Sequence, residues 1–171
     1  MLRVTAYVAM LRAVNVSGTG KLPMAQLKAI GEACGFTNVR TFIASGNLLF
    51  DSAEDEAAVM RLVGDRVATY FGNSVLILVR TAAEMHKVAA DNPFADQAPN
   101  RVVAHFLASA PTRAMLEAAT GQQDEQLALG RREIYIFYGE GMGNSKLKLP
   151  AFRDGTARNM NSVAKIAGLL A

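Results

Sequence analysis

The stretch Thr37-Asn38-Val39-Arg40-Thr41-Phe42-Ile43-Ala44-Ser45-Gly46-Asn47-Leu48-Leu49-Phe50 decides the fold. Val39 to Ala44 and Leu48 to Phe50 are rich in β-formers, and Ser45-Gly46-Asn47 between them has turn chemistry. The segment therefore reads as a hairpin of two short strands. Before it, Pro23 opens a helix that carries Leu27, Ile30 and Cys34 at helical spacing and stops at Gly35. After it, Ser52 and Asp55 have the spacing of a capping box. The helix that follows sets Met60, Val63, Val67, Tyr70 and Phe71 on one face and ends at Gly72-Asn73. Alternating residues 3–11 form a strand at one end of this block, and the apolar run from Ser74 to Arg80 forms another at the other end. A hairpin between two helices and two outer strands is βαββαβ, the ferredoxin-like order.

The second half nearly repeats that order. Thr81 and Glu84 cap a short linking helix, and Asn92-Pro93-Phe94 with Ala98-Pro99-Asn100 makes the linker. Arg101 to Ala108 reads as a strand, Pro111 to Thr120 as a helix, and Glu125–Leu129 and Glu133–Tyr138 as two strands joined near Gly130. A C-terminal helix carries Val163, Ile166 and Leu170. The expected fold is α+β: two ferredoxin-like halves in tandem, 1–80 and 101–171, joined by 81–100, the second lacking a final strand.

Composition bounds the rest. The chain has 171 residues and is 51% hydrophobic, enough for a sizeable core and against disorder. Of 18 cations and 15 acids, ten cations and two acids lie in residues 1–50 and 141–171, leaving a middle with eight and thirteen. The net +3 is weak, and two basic ends around an acidic middle read either as a dipolar surface or as two solvated basic faces with no partner. The lone Cys34 excludes an internal disulfide and a multi-Cys metal site, and its place on an apolar stripe reads as an inert thiol. No apolar run reaches the ~20 residues of a membrane span, and the N-terminus reads as a strand rather than a signal peptide, so a cytoplasmic protein is expected.

Three polar stretches stand out: Asn15-Val16-Ser17-Gly18-Thr19-Gly20-Lys21, Gly141-Met142-Gly143-Asn144-Ser145-Lys146 and Thr156-Ala157-Arg158-Asn159-Met160-Asn161. Backbone N–H groups freed by glycine, with a cation nearby, suit an anion. The first is not a P-loop, because Leu22 follows Lys21 where a hydroxyl belongs. It reads either as a phosphate loop or as a plain strand–helix connection. In βαββαβ topology this loop and Ser45-Gly46-Asn47 leave the sheet at the same end, which brings Asn15 near Asn47. The second stretch reads as an anion nest or a turn. For the third, a helix starting at Arg158 would place Arg158, Asn161, Ser162 and Lys165 on one face, which reads either as an anion site at a helix N-terminus or as the solvated face of an amphipathic helix. His86 and His105 have no second ligand at helical spacing and read as core or surface residues. Tyr135, Phe137 and Tyr138 lie on one strand without an RNA-binding signature, so sheet core is the stronger reading.

Several ordered segments resemble a known bacterial family. They are Tyr7-Val8-Ala9-Met10-Leu11-Arg12-Ala13-Val14-Asn15-Val16, Lys21-Leu22-Pro23-Met24, Gly35-Phe36-Thr37-Asn38-Val39, Ser45-Gly46-Asn47, Asn92-Pro93-Phe94, Gly143-Asn144-Ser145-Lys146-Leu147 and Thr156-Ala157-Arg158-Asn159. Their order is similar to that of the family catalogued as domain of unknown function 1697, over almost the whole chain. The resemblance implies a small cytoplasmic protein of two ferredoxin-like halves and implies no reaction. Ala13 and Ser17 stand where that family commonly has glycine, and Ser162 where it usually has threonine.

The reading that follows is a cofactor-free, metal-free binding protein for a phosphorylated small molecule or nucleotide. Its hypothetical anion site draws on Asn15, Ser17, Lys21, Ser45, Asn47, Ser145, Lys146, Arg158, Asn159, Asn161 and Lys165. Two alternatives remain open: a weak RNA or single-strand-binding module, and an enzyme on a phosphate-bearing substrate with Ser145, Lys146 or Arg158 as electrostatic stabilisers.

Overall fold

A computed structural model describes residues 3–14, 21–43 and 45–170. The chain divides into two compact units, Met1–Glu84 with Leu169–Ala171, and Met85–Gly168.

The first unit runs β1 (Thr5–Leu11), α1 (Met24–Ala33), β2 (Thr37–Thr41), β3 (Asn47–Ser52), α2 (Glu56–Phe71) and β4 (Ile77–Thr81). Its sheet has the order β2-β3-β1-β4 with every pairing antiparallel. This is the expected βαββαβ unit. Alternation along β1 sorts its side chains into two faces. Tyr7, Ala9 and Leu11 join Phe50, Ile77 and Val79 under Leu27 and Ile30 of α1 and Val59, Val63 and Val67 of α2. Phe36 stacks on Phe50 with centroids 4.0 Å apart. The opposite face holds Val8, Met10, Leu49, Leu78 and Arg80, all buried as well.

Local chemistry sets the helix ends, with one shift from expectation. The cap of α2 is Asp55, whose carboxylate accepts from the Ala58 N–H at 2.8 Å. Ser52 instead accepts from the Glu54 N–H at 3.0 Å. That moves the helix start and turns Val59 inward, while Tyr70 is exposed. Gly72 closes α2 in the left-handed conformation, φ 78°.

The second unit takes in most of α3 (Ala82–Ala90), then β5 (Val102–Leu107), α4 (Arg113–Glu117), β6 (Gln126–Leu129), β7 (Glu133–Phe137), β8 (Gly155–Asn159) and all but the last residues of α5 (Met160–Leu170). Its sheet has the order β6-β7-β5-β8, again wholly antiparallel. The expectation that this half lacks its final strand is therefore corrected. The strand is β8; what the half lacks is a second crossover helix. Residues 138–154 replace that helix with largely irregular chain, broken by short 3-10 turns at Met142–Asn144 and Pro150–Asp154, whose Tyr138, Leu147, Leu149 and Ala151 pack on Val103, Leu107, Ile134 and Ile136. Apolar burial, not regular structure, is the requirement at that place. A bridge between Thr120 and Lys148, with N–H···O distances of 2.9 and 2.8 Å, ties the irregular chain to the end of the α4 region. Helix α4 itself is five residues, shorter than the expected 111–120.

Candidate functional site

Asn15 and Ser17 lie outside the described residues, as does the expected Asn15–Asn47 proximity. The base of their loop is described. Val14 packs on Gly46 so closely that a Cβ on Gly46 would lie 2.6 Å from Val14 Cγ2. The Leu11 N–H donates to the Gly46 carbonyl at 2.9 Å. The end of β1 and the β2–β3 turn thus share one sheet end, with Lys21 exposed. Asn47 is fully buried, and its amide donates to the Phe42 carbonyl at 2.9 Å and to Ser45 Oγ at 3.2 Å. It staples the turn from within.

The Gly141–Lys146 stretch faces acids. Ser145 Oγ donates to Glu125 Oε2 at 3.2 Å, and the Gln123 N–H reaches Glu125 Oε1 at 3.0 Å. The Glu140 N–H donates to Asp124 Oδ2 at 3.0 Å. These groups line a cleft of about 340 Å³ with Gly141 and Asn144. Within the stretch, the Ser145 hydroxyl already holds a carboxylate of the chain itself, and the Gly141 and Ser145 N–H groups donate to the Tyr138 and Met142 carbonyls. Lys146 is exposed.

The third stretch is built differently from its sequence reading. Gly155 to Asn159 is strand β8, so Arg158 is not on the first turn of a helix, and it shares no helical face with Asn161, Ser162 and Lys165. Arg158 lies opposite Ala104 of β5 and Thr156 opposite Phe106, which puts both on one sheet face with Tyr135, also opposite Ala104. Arg158 is 5% exposed. Its Nη1 donates to Thr156 Oγ1 at 2.8 Å and to the Ala157 carbonyl at 3.0 Å. Burial pushes the guanidinium down to about 10, still far enough above neutrality to keep its charge. Asn159 is the cap of α5, its Oδ1 accepting from the Ser162 N–H at 2.9 Å. Asn161 and Lys165 sit on the exposed side of α5, while Met160, Val163, Ile166 and Ala167 are buried.

The described members of the hypothetical site thus fall in both units. The densest chemistry is the Arg158–Thr156 pair. Thr156 went unnoticed as a partner because a helix reading of 158 onward hides the two-residue spacing that puts it beside Arg158. Arg80 was missed too, although Val79-Arg80-Thr81 repeats the pattern of a strand arginine just before a helix.

Other chemistry is engaged elsewhere. His105 is buried, its Nε2 3.2 Å from the Ala151 carbonyl and its ring edge-on to Phe152 at 5.1 Å. Tyr135 is buried and donates to the Val88 carbonyl of α3 at 2.8 Å, while Phe137 sits 6.0 Å from the Phe94 ring. Among the described residues no three metal-ligating side chains come together. No described helix is long and apolar enough to cross a membrane.

The same architecture recurs in a solved structure, that of the conserved bacterial protein SP0830 from Streptococcus pneumoniae. That chain is 23% identical, with a TM-score of 0.83 over 99% of this chain and 100% of its own. At that identity the likeness speaks for the fold alone. No curated protein matches the sequence. The model of the family described as a protein of unknown function, DUF1697, matches residues 4–135, and the chain belongs to that family.

Proposed function

We propose that this is a cytoplasmic binding protein for a phosphorylated small molecule or nucleotide, with Arg158 and Thr156 as the anion contact. One observation carries the reading: a guanidinium 5% exposed, whose Nη1 donates to Thr156 Oγ1 at 2.8 Å and to the Ala157 carbonyl at 3.0 Å. The fork of an arginine matches two phosphate oxygens, and at low dielectric such a bond is stronger than in water. Small Ala104 stands between Arg158 and Tyr135 across the sheet, leaving the lowest side chain of the row at its centre.

A melting screen with inorganic phosphate, pyrophosphate and nucleotides tests the proposal. A ligand at 100 times its Kd stabilises by about 2.7 kcal/mol, which for a chain of this size raises the midpoint by roughly 5–10 °C. Arg158→Lys keeps the charge and loses the fork, so the shift should shrink at matched concentration. Thr156→Val provides a second variant that leaves the buried cation in place. No rise in the wild-type midpoint with any phosphate compound would overturn the proposal. The nucleic-acid reading gains nothing from the sheet aromatics, which are buried or ring-packed. It would be favoured instead by binding that falls steeply with salt.

A further inference from the structure

We infer that the chain forms a homodimer through the open edge of β6, which pairs antiparallel with β6 of a second copy about a two-fold axis at Ala128. The inference is independent of the phosphate reading and stands on the second unit alone. It comes from the backbone of this edge and from the order of charges along it.

Strand β6 stands at the end of the order β6-β7-β5-β8, and its register with β7 runs unbroken from Gln126 opposite Phe137 to Leu129 opposite Ile134. In an antiparallel pair, successive residues alternately turn both backbone groups to the partner strand and both away from it. The Gly130 N–H donates to the Glu133 carbonyl at 2.7 Å, so Gln126 and Ala128, in step with Gly130, face β7. Leu127 and Leu129 therefore aim their N–H and C=O groups at the open side. The Glu125 carbonyl, next in that series, accepts from Gln122 Nε2 at 2.7 Å, which closes the edge at that end. An open edge is a template for another strand unless a charge, a proline or a bulge blunts it. Gln126-Leu127-Ala128-Leu129 carries none of the three. The β2 edge of the first unit is blunted by contrast: its register shifts between Thr37 and Arg40, and Asn38 has φ 52°.

The flanking charges choose the occupant. The edge reads Asp124-Glu125-Gln126-Leu127-Ala128-Leu129-Gly130-Arg131-Arg132, acidic at one end and basic at the other. Pairing it antiparallel with itself sets acids against arginines at both ends. The open backbone groups lie at odd positions, so only a register that matches odd with odd makes hydrogen bonds. The register centred on Ala128 sets Leu127 against Leu129 of the second copy, and Glu125 and Asp124 against Arg131 and Arg132 of the second copy. Ala128 then meets itself in a non-hydrogen-bonded pair, where Cα atoms approach to about 4.5 Å and a methyl fits. Registers centred on Leu127 or Leu129 lose the match of charge. The basic end is a fixed hairpin tip, because the Glu133 carboxylate accepts from the Arg131 N–H at 2.9 Å and the Arg132 N–H at 3.2 Å. Arg132 also holds the Ala108 carbonyl, and the buried Glu125 carboxylate holds Ser145 and the Gln123 N–H. The exposed Asp124 and Arg131 therefore carry most of the attraction. Pairing also covers Leu129, which is 39% exposed. So short an edge places the dimer in the weak, transient class.

The test is analytical ultracentrifugation of the whole chain at concentrations up to about 1 mM. The expected result is a monomer–dimer equilibrium that weakens as salt rises. Leu129→Pro removes an N–H that β7 does not use, so it should keep the fold, checked by circular dichroism, and abolish the dimer. Arg131→Glu should weaken the dimer about 2- to 30-fold, since two cross-strand charge pairs turn from attraction to repulsion. In a Cys34→Ser background, Ala128→Cys should form a disulfide between copies under mild oxidation, and Leu127→Cys should not. A chain that stays monomeric over the whole range would overturn the inference. So would a dimer indifferent to both Leu129→Pro and Arg131→Glu, which would put the contact on another surface. Crosslinking through Leu127→Cys instead of Ala128→Cys would overturn the register and the charge match with it. If Leu129→Pro fails to fold, Arg131→Glu and Ala128→Cys decide.

Discussion

Gly46 shows how one residue fixes the end of a sheet. Its φ of 89° lies in the left-handed region, and a Cβ there would meet Val14 Cγ2 at 2.6 Å and Leu11 Cβ at 3.1 Å. Conformation and space therefore both demand glycine. Gly46→Ala should cost about 2–5 kcal/mol, the left-handed penalty plus overpacking, read as a lower midpoint in urea unfolding at unchanged slope. A change below about 0.5 kcal/mol, the size of an ordinary surface substitution, would contradict the packing described here. Ala13 lies at the same sheet end. It has φ 56°, the conformation that glycine adopts without strain, and the chain places an alanine there. Cys34 sits half-buried against the first core, and burial pushes its thiol up, which fits the inert reading of its sequence context.

The β8–α5 junction joins local chemistry to the candidate site. Asn159 ends the strand that carries Arg158, and its side chain caps the helix that follows. Asn159→Ala should cost about 1 kcal/mol of stability, and Asn159→Asp, another good cap, should recover most of it. Equal loss in both variants, measured by chemical denaturation, would show that the cap is not the source. The hairpin, α1, α2 and their stop glycines were legible in the sequence because apolar spacing and turn residues agreed there. Strand β8 was hidden for a physical reason. Thr156-Ala157-Arg158-Asn159 has no β-branched run, and a charged residue reads as solvated when it is in fact buried. Periodicity tells where apolar faces lie, not which charges go inside. The irregular 138–154 segment misled in the same way, since its buried Leu147 and Leu149 follow neither helical nor strand spacing over enough residues to register. Of the candidate site, the residue types were readable; the pairing of Arg158 with Thr156 needed the strand.

Across the whole molecule, each sheet buries side chains on both of its faces, so tyrosines become deep core residues in both units. Burial raises Tyr7, Tyr135 and Tyr138 above their ordinary 10.0, chiefly through desolvation of the phenolate. A tyrosine neutral in the fold and ionised at 10.0 in the open chain contributes stability that is whole below pH 10.0 and is lost as pH rises toward its folded value. Stability should therefore fall above pH 10, with phenolate absorbance from these residues appearing together with loss of structure. Smooth ionisation of all the tyrosines in the folded chain would contradict it. The central claim, an anion held at Arg158 and Thr156, is tested most directly by a crystal structure of the protein grown with inorganic phosphate. The account predicts tetrahedral density at hydrogen-bond distance, about 2.7–2.9 Å, from the Arg158 guanidinium. Clear density for an unliganded Arg158 at saturating phosphate, with phosphate only on surface lysines, would contradict it.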